Sequence, residues 1–281
     1  MIDKNKPVID DCSMILIVLA LTNIITLVCL LIVSLYYKIP KKIIKKVWNK
    51  INEAWIKINE IWNKIIEPKY GKNKFFEIID KHGSLLDVGC GNDSSYYIKT
   101  RFPDILYTGI DVEDSGEYYH GMPNLADHYI ITSPENFADK ILELDNKFDT
   151  VISSHNLEHC IDRNKVLLAI AKALKIGGYL YLSFPTEKSI YFPGPRNGSL
   201  NYYDDCTHKD VPPNFNETIE KLKSNGMKIL FSNRSYKPFF YYFHGMLLEG
   251  KSKREKKVYN PATWAYYGFE AIIWAQKANE Q

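Results

Sequence analysis

The chain has 281 residues, of which 25% are charged and 46% belong to the hydrophobic set, an ordinary composition for a globular protein. Its net charge of +3 is too small to indicate a nucleic-acid-binding protein, so no nucleic-acid partner is expected. The five cysteines are scattered without CxxC spacing, which argues against a disulfide framework or a zinc site and fits a reducing compartment.

The first predicted element is a transmembrane helix over residues 14–37, a run of 24 positions without a formal charge. At about 1.5 Å per residue the run reaches roughly 36 Å, enough to cross a hydrocarbon core of about 30 Å. A cleaved signal peptide is the alternative, but the run exceeds the usual apolar region of about 7–15 residues and no A-x-A-like site follows it. Five lysines come within ten residues of its end: Lys38, Lys41, Lys42, Lys45 and Lys46. The positive-inside rule therefore predicts a single-pass membrane protein with residues 1–13 extracytoplasmic and the main domain cytoplasmic.

Residues 38–67 predict an amphipathic or coiled-coil stalk. Apolar side chains recur there at alternating steps of four and three: Ile44, Trp48, Ile51, Trp55, Ile58, Trp62 and Ile65. Pro68 and Gly71 then end the helix and mark a domain boundary. Three interpretations stay open, namely a coiled coil that forms a homodimer through residues 44–65, a helix lying on the lipid bilayer, and a helix packed against the next domain.

Residues 70–281 predict an α/β domain with a doubly wound, mostly parallel, seven-stranded sheet. The expected strands are Leu85–Gly89, Tyr107–Asp111, His128–Thr132, Thr150–Ser153, Tyr179–Phe184, Lys228–Ser232 and Phe269–Ala275. Helices are expected between most of them, for example Asn164–Leu174 and Glu217–Ser224, and the pair Gly177-Gly178 is expected to stop the first of these. The long connection 186–216 has no helical period and predicts a substrate lid.

The sharpest motif is Gly89-Cys90-Gly91, which directly follows the first strand of this domain. Glycines suit a tight turn that a ligand must approach closely, and the next helix start can hold an anion. A dinucleotide fingerprint needs Gly or Ala where this chain has Ser94, and Asp87 would repel a pyrophosphate. A nicotinamide-dependent oxidoreductase is therefore disfavoured.

The run Leu85–Ser94, LLDVGCGNDS, resembles motif I of the class I S-adenosylmethionine-dependent methyltransferases. Asp111, twenty residues after Gly91, stands where that family has the acid that accepts hydrogen bonds from the ribose hydroxyls. Phe148–His159 resembles the family's fourth strand with its loop, and Ala173–Pro185 resembles its fifth-strand signature. The resemblance implies a Rossmann-like methyltransferase with S-adenosylmethionine as cofactor. The implied cofactor-binding residues are Asp87, Gly89, Gly91, Asp111, Ser133, Ser153 and Ser154.

The resemblance also shows two departures. Asp93 stands where the family often has a third glycine, and Ser133 stands where an acid commonly meets the adenine amine. His159 matches a histidine that braces the loop after the fourth strand in related sequences.

Within the predicted lid, His208 and Asp205 are the candidate catalytic residues. A base is needed only if the acceptor is a hydroxyl or an amine that must lose a proton. The alternative interpretation is that Asp204 and Asp205 cap turns while His208 packs against the domain. Asp204 and His208 also have a metal-like spacing, but no third ligand is evident in the sequence, so no metal is predicted.

The predicted function is methyl transfer to an unidentified small-molecule, glycan or lipid acceptor. Tyrosines and aspartates in the lid would suit a saccharide or a lipid-linked glycan at the membrane, which is an argument by analogy. The alternative is a membrane-anchored, non-catalytic binding or scaffold protein with a methyltransferase fold. The basic stretch Lys251–Lys257 is expected to be a solvated loop, or to contact anionic lipid if it faces the bilayer.

Overall fold

The computed structural model describes residues 70–91, 93–112, 118–119, 122–192, 201–259 and 261–279, together with Lys46, Asn49, Lys50 and Glu53. The predicted transmembrane helix 14–37 lies outside the described residues, as does nearly all of the predicted stalk 38–67. Within the described ranges, no helix combines the length and the apolar character needed to cross a membrane. The elements that follow all belong to the unit formed by residues 66–281.

Strands and helices alternate along most of this unit. The strands are β1 (Ser84–Val88), β2 (Leu106–Asp111), β3 (Tyr118–Tyr119), β4 (Met122–Pro123), β5 (His128–Ile131), β6 (Phe148–Ser154), β7 (Leu174–Pro185), β8 (Met227–Asn233) and β9 (Glu270–Lys277). The helices are α1 (Lys72–Phe75), α2 (Ser94–Arg101), α3 (Phe137–Leu142), α4 (Arg163–Ala173), α5 (Phe215–Ser224), α6 (Phe239–Glu255) and α7 (Ala262–Tyr267). Short 3-10 helices cover Leu157–His159, Glu187–Tyr191 and Tyr202–Asp204.

Seven strands form one sheet in the order β5-β2-β1-β6-β7-β9-β8. The strands from β5 to β7 in this order pair in parallel, whereas β9 is antiparallel to both β7 and β8. The predicted seven-stranded, mostly parallel sheet is thus confirmed. Its order reverses between β1 and β6, and a crevice for a ligand is expected at the carboxyl ends of strands on either side of such a point.

The central strands are apolar on both faces because helices cover both sides of the sheet. Leu85, Leu86 and Val88 of β1 are fully buried, and so are Val151 and Ile152 of β6. These strands therefore form a rigid floor from which the turns at their carboxyl ends project.

Two local predictions are wrong. Helix α4 ends at Ala173, and β7 begins directly at Leu174, which pairs with Phe148 before an irregularity in the register. Gly177, at φ +81°, lies inside the strand at that irregularity instead of stopping the helix. The basic stretch expected as a loop, Lys251–Lys257, instead continues the last turns of α6 as far as Glu255.

Helix α6 packs against α7, and a glycine permits the close approach. A Cβ at Gly245 would lie 2.1 Å from the carbonyl oxygen of Ala262, a distance that only glycine avoids. The packing places Trp264 of α7 near the carboxyl end of β6, where it reaches the site described next.

Candidate functional site

A crevice of about 620 Å³ opens at the carboxyl ends of the central strands. We call it the glycine crevice, and its lining includes Gly89, Gly91, Asp111, Glu135, Asn156 and His159. These residues come from the turns after β1, β2, β5 and β6. The crevice therefore lies at the predicted position, on both sides of the reversal in strand order.

The turn after β1 requires glycine at its first position. Gly89 has φ +72°, and a Cβ there would lie 2.3 Å from the side chain of Asn156. Gly91 also has a left-handed backbone, at φ +55°, but no atom lies within 4 Å of the place of its Cβ. Gly89 thus lets the loop after β6 pack closely, whereas Gly91 leaves free space beside the crevice.

Asp111 ends β2 with its carboxylate facing the glycine turn. Its Oδ2 accepts a hydrogen bond from the Gly91 N–H at 2.7 Å, and its Oδ1 accepts one from the Val112 N–H at 2.7 Å. Each carboxylate oxygen can accept a further hydrogen bond. A pair of neighbouring hydroxyl groups, such as those of a ribose, could therefore donate to this side chain, so the residues present fit a nucleoside-containing cofactor.

Asp87 lies behind the turn and is not part of the crevice lining. Only 2% of it is exposed, and its Oδ2 accepts hydrogen bonds from the hydroxyls of Tyr107, at 2.9 Å, and Ser94. Burial and the neighbouring Asp87 carboxylate raise the pKa of Tyr107 well above its ordinary value, so this phenol remains a donor. Asp87 thus connects β1 to β2 and to the start of α2, so it supports the glycine turn from behind. Its predicted role in cofactor binding remains a prediction.

The three predicted serines lie beside the crevice and not on its surface. Ser133 accepts a hydrogen bond from Asn136 at 3.2 Å, and Ser153 is 1% exposed. Ser154 ends β6, and the residues after it in the chain form the lining instead. Glu135, two residues beyond Ser133, contributes an exposed carboxylate to the crevice. The cofactor roles of the serines remain predictions. The sequence could have indicated Glu135, because it is the acidic residue in the same loop as Ser133.

A second cavity, of about 400 Å³, adjoins the glycine crevice. We call it the histidine pocket, and its lining includes His155, Glu158, His159, Tyr202, Asp205, His208, Trp264 and Glu270. His155 and His159 line both cavities. A ligand in the pocket would therefore face a ligand in the crevice across these two imidazoles.

His155 lies between two carboxylates in the histidine pocket. Its Nδ1 is 3.3 Å from Oε1 of Glu158, and its Nε2 is 3.5 Å from Oε1 of Glu270. Burial opposes protonation, but hydrogen bonding to the two carboxylates outweighs it and raises the pKa of His155 to about 10. Its backbone is left-handed at φ +50°, a conformation that costs about 1–2 kcal/mol for a residue other than glycine. The two carboxylates thus favour the protonated imidazole of His155, and its turn is strained, which is typical of a functional site.

The predicted pair in the lid, His208 and Asp205, is brought to the same pocket. The Nδ1 of His208 donates to the carbonyl oxygen of Tyr202 at 2.6 Å, and the imidazole stacks on the Tyr202 ring. The Nε2 is 3.8 Å from Oδ2 of Asp205. Burial alone would raise the pKa of Asp205, but two hydrogen bonds from Thr207 outweigh it and hold that pKa below its ordinary value. Both side chains can therefore contact an acceptor, and their catalytic roles remain predictions.

Asp204 has a different place. Its carboxylate accepts a hydrogen bond from the backbone N–H of Asn201 at 3.1 Å and completes a capping box on a 3-10 helix. The turn-capping interpretation therefore fits Asp204, and the spacing between Asp204 and His208 does not correspond to a pair of metal ligands.

Two polar atoms of pocket residues are buried without a hydrogen-bond partner among the described residues. They are Oε2 of Glu158, a residue only 1% exposed, and Nε1 of Trp264. Buried polar atoms are almost always satisfied, so each of these two would gain a partner if its side chain turned toward a polar group in the pocket. The sequence did not identify Glu158, Trp264 or Glu270 as site residues.

The model of one protein family, a methyltransferase domain, matches residues 67–225, which is more than half of the chain. No curated protein matches the chain. A chain of the complex between the Haloferax volcanii Trm112 methyltransferase activator and its proposed methyltransferase partner is similar in structure. The TM-score is 0.51 at 12% identity, over 80% of this chain and 97% of that one, so the likeness shows the fold alone.

Two further solved structures are similar over much of this chain. An S-adenosylmethionine-dependent methyltransferase from Mesorhizobium loti is 13% identical with a TM-score of 0.49, over 73% of this chain and 96% of that one. Phosphoethanolamine N-methyltransferase 2 from Haemonchus contortus, in complex with S-adenosyl-L-methionine, is 18% identical with a TM-score of 0.48. That likeness covers 78% of this chain and 53% of the other.

Proposed function

Since the chain belongs to the methyltransferase-domain family, we propose that it methylates a hydroxyl group of a saccharide held in the histidine pocket. The protein is a methyltransferase, and its cofactor is S-adenosylmethionine. The observation that carries the proposal is the shared wall of His155 and His159 between the glycine crevice and the histidine pocket. One cavity fits a nucleoside cofactor, and the adjoining cavity fits its acceptor.

The glycine crevice provides the cofactor's contacts. Asp111 would accept the ribose hydroxyls, and the turn at Gly91 leaves room for the adenosyl group to approach the backbone. Glu135, at the rim of the crevice, would accept a hydrogen bond from the adenine amine. When bound, S-adenosylmethionine supplies an electrophilic methyl group on a sulfonium, so the protein mainly aligns the acceptor.

The histidine pocket combines aromatic faces with carboxylates, which suits a saccharide. Trp264, which is half-buried, offers an apolar surface for the face of a sugar ring. Asp205 and Glu270 offer charged acceptors for its hydroxyls, and charge-assisted hydrogen bonds are the stronger kind. A rotation of the Glu158 or Trp264 side chain would bring its unpaired Oε2 or Nε1 to a sugar hydroxyl, which can donate or accept a hydrogen bond.

The acceptor hydroxyl must lose its proton when its oxygen becomes an ether. His208 and Asp205 line the pocket, and neither the Nε2 of His208 nor the Oδ2 of Asp205 is held in a close hydrogen bond. One of them takes the proton from the acceptor oxygen. His155, whose protonated form the neighbouring carboxylates favour, would stabilise negative charge that develops on that oxygen.

The same proposal includes attachment to a membrane, which would bring the enzyme to a lipid-linked glycan. Support comes from the uncharged run 14–37 with its following lysines. It also comes from α6, where Phe243, Met246 and Leu247 are exposed on a helix that ends in basic residues. Membrane fractionation of the full chain and of a chain lacking residues 1–69 tests this part. The full chain should sediment with membranes even in high salt, whereas the shortened chain should be released by it. A homodimer through residues 44–65 predicts that the same deletion also converts a dimer into a monomer in detergent.

The acceptor class is tested with purified full-length protein, S-adenosylmethionine labelled in its methyl group, and lipid-linked glycans extracted from membranes. We expect the label in a methyl ether that survives alkaline hydrolysis and appears on a monosaccharide after acid hydrolysis. The variant His208→Gln should lose most of this transfer and still bind the cofactor, whereas His82→Gln, at an imidazole 76% exposed outside both cavities, should keep it. Label confined to amines or to the lipid portion would contradict the saccharide proposal.

A further inference from the structure

We infer that Glu158, His159 and His208 form a binding site for one divalent transition-metal ion in the wall of the histidine pocket. One donor atom from each residue lies within 4.8 Å of the donors of the other two. Two imidazoles and one carboxylate are a donor set used for zinc and for non-haem iron in catalytic sites that keep an open position. Glu158 and His159 belong to the turn after β6, and His208 comes from the predicted lid, so the ion would join the two segments.

The hydrogen-bond network leaves the Nε2 of both imidazoles free to bind a metal. The Nδ1 of His208 faces the carbonyl oxygen of Tyr202, which can only accept, so the proton of His208 is on Nδ1. The Thr207 hydroxyl donates to Asp205 at 2.6 Å, so it accepts from the Nδ1 of His159 at 2.9 Å. A histidine that ligates a metal almost always donates its other ring N–H to such a partner.

The third donor is a carboxylate that lacks a complete set of partners. Glu158 is 1% exposed, with Oε1 at 3.3 Å from His155 and with Oε2 unpaired among the described residues. Leaving a buried carboxylate oxygen unpaired costs more than leaving a neutral one unpaired. A cation between Oε2 and the two imidazoles would remove this cost. This observation is independent of the spacing of the three residues.

The two segments are already held together by contacts other than the proposed ligands. The Lys209 N–H donates to the carbonyl oxygen of Glu158 at 2.9 Å. The Arg163 guanidinium donates to the carbonyl oxygen of Leu157 at 3.2 Å and to that of Lys209 at 2.6 Å. The donors must still move closer, because bonds of about 2.1 Å in tetrahedral geometry place ligand atoms roughly 3.4 Å apart. Side-chain rotations about a fixed backbone can supply such a movement.

The role of the ion rests on the proposed function, although its binding does not. A bound divalent ion lowers the pKa of coordinated water to about 7, and it would act on a coordinated hydroxyl in the same direction. Asp205, with Oδ2 at 3.8 Å from the Nε2 of His208, is then the nearest group to take the acceptor's proton. With the ion bound, a weak base such as a carboxylate would therefore be sufficient to remove the proton of the acceptor hydroxyl.

The test is a titration of chelator-treated full-length protein with cobalt(II) chloride, followed by visible absorption and by calorimetry. We expect one ion per chain, with the visible bands of cobalt bound to nitrogen and oxygen ligands. The variants His159→Ala and His208→Ala should each weaken cobalt binding by at least about tenfold. The control His82→Ala, at an imidazole 76% exposed, should bind as the natural protein does.

Protein folding is checked by thermal unfolding of each chelated variant, and His208→Gln is the second variant if His208→Ala does not fold. Cobalt should raise the unfolding temperature of the natural protein and of His82→Ala, but not that of the ligand variants. Equal cobalt affinity in ligand variants and control, or no stoichiometric binding at all, would overturn the site. Cobalt binding without saccharide methylation would support the metal site and contradict only the proposal that the acceptor is a saccharide.

Discussion

Substitution of Asp111 by asparagine should weaken S-adenosylmethionine binding by roughly 30-fold. The carboxylate has one free acceptor position on each oxygen beyond its bonds to the N–H groups of Gly91 and Val112. Asparagine keeps a single acceptor oxygen and turns the other position into a donor. Losing one charge-assisted bond and weakening a second costs about 2 kcal/mol, which corresponds to roughly 30-fold in Kd.

The assay is calorimetric titration of the full chain with S-adenosylmethionine, alongside urea unfolding of the same preparations. The matched control is Asp104→Asn, just before the other end of β2, where the carboxylate is 70% exposed and distant from the crevice. Asp111→Asn should lose about 1 kcal/mol of unfolding free energy at most, because the amide oxygen can still accept from the turn. A Kd within threefold of the natural value in a folded Asp111→Asn protein would refute the assignment of this carboxylate to the ribose.

Three further predictions concern stability and acceptor binding. Gly89→Ala should lower the unfolding free energy in urea by at least about 1–2 kcal/mol, because the backbone at this position is left-handed. The new Cβ would also collide with Asn156, so adding Asn156→Ala should restore part of the loss. An unchanged unfolding free energy in Gly89→Ala would contradict the claim that the turn requires glycine. Burial alone would raise the pKa of Asp149, but hydrogen bonds, including one from Lys175 at 2.9 Å, hold it below its ordinary value. Ionised Asp149 therefore stabilises the fold at pH values above the unfolded pKa of about 4. There the natural protein should be more stable than Asp149→Asn by about 1 kcal/mol, and this difference should disappear as the pH falls through the lower pKa of the folded state. A difference in stability that grows at acid pH would contradict the prediction. Trp264→Leu should raise the KM for the acceptor by about tenfold without changing the Kd for the cofactor, because the sugar ring loses the indole on which it stacks. An equal increase in the KM and in the Kd would contradict the assignment of Trp264 to the acceptor site.

The sheet was predictable because its strands carry a strong local pattern. Apolar runs such as Leu85–Val88 stand directly before a turn motif, and six of the seven strands begin within two residues of their predicted starts. The exception is β7, which begins at Leu174 because pairing with Phe148 decides that boundary. Such pairing links residues 26 positions apart and leaves no local signal. The helical structure of the stretch Lys251–Glu255 was missed for a similar reason, because α6 is stabilised by packing on α7.

The site was predictable where a motif fixes a position on a strand. Gly89 and Gly91 follow the end of β1 and Asp111 is the last residue of β2, and the structure brings them to one crevice. Glu158 was missed because its sequence position is that of an ordinary charged loop residue. Its burial depends on the lid, where Tyr202 and Lys209 contact its carbonyl oxygen from about fifty residues away.

Trp264 and Glu270 were missed because they reach the pocket from the last two elements of the chain, which the motif pattern does not cover. Their roles depend on β9 lying beside β7 in the sheet and on α7 packing against α6. Neither arrangement has a signature in the local sequence, so the acceptor side of the site could be located only in three dimensions.

The most direct test of the central claim is a crystal structure of the full chain or of residues 66–281 with S-adenosylhomocysteine. We predict that the ribose hydroxyls donate to Asp111 in the glycine crevice and that the sulfur faces the histidine pocket across His155 and His159. A ligand bound elsewhere, or a sulfur directed away from that pocket, would contradict the claim that the two cavities work as one transfer site.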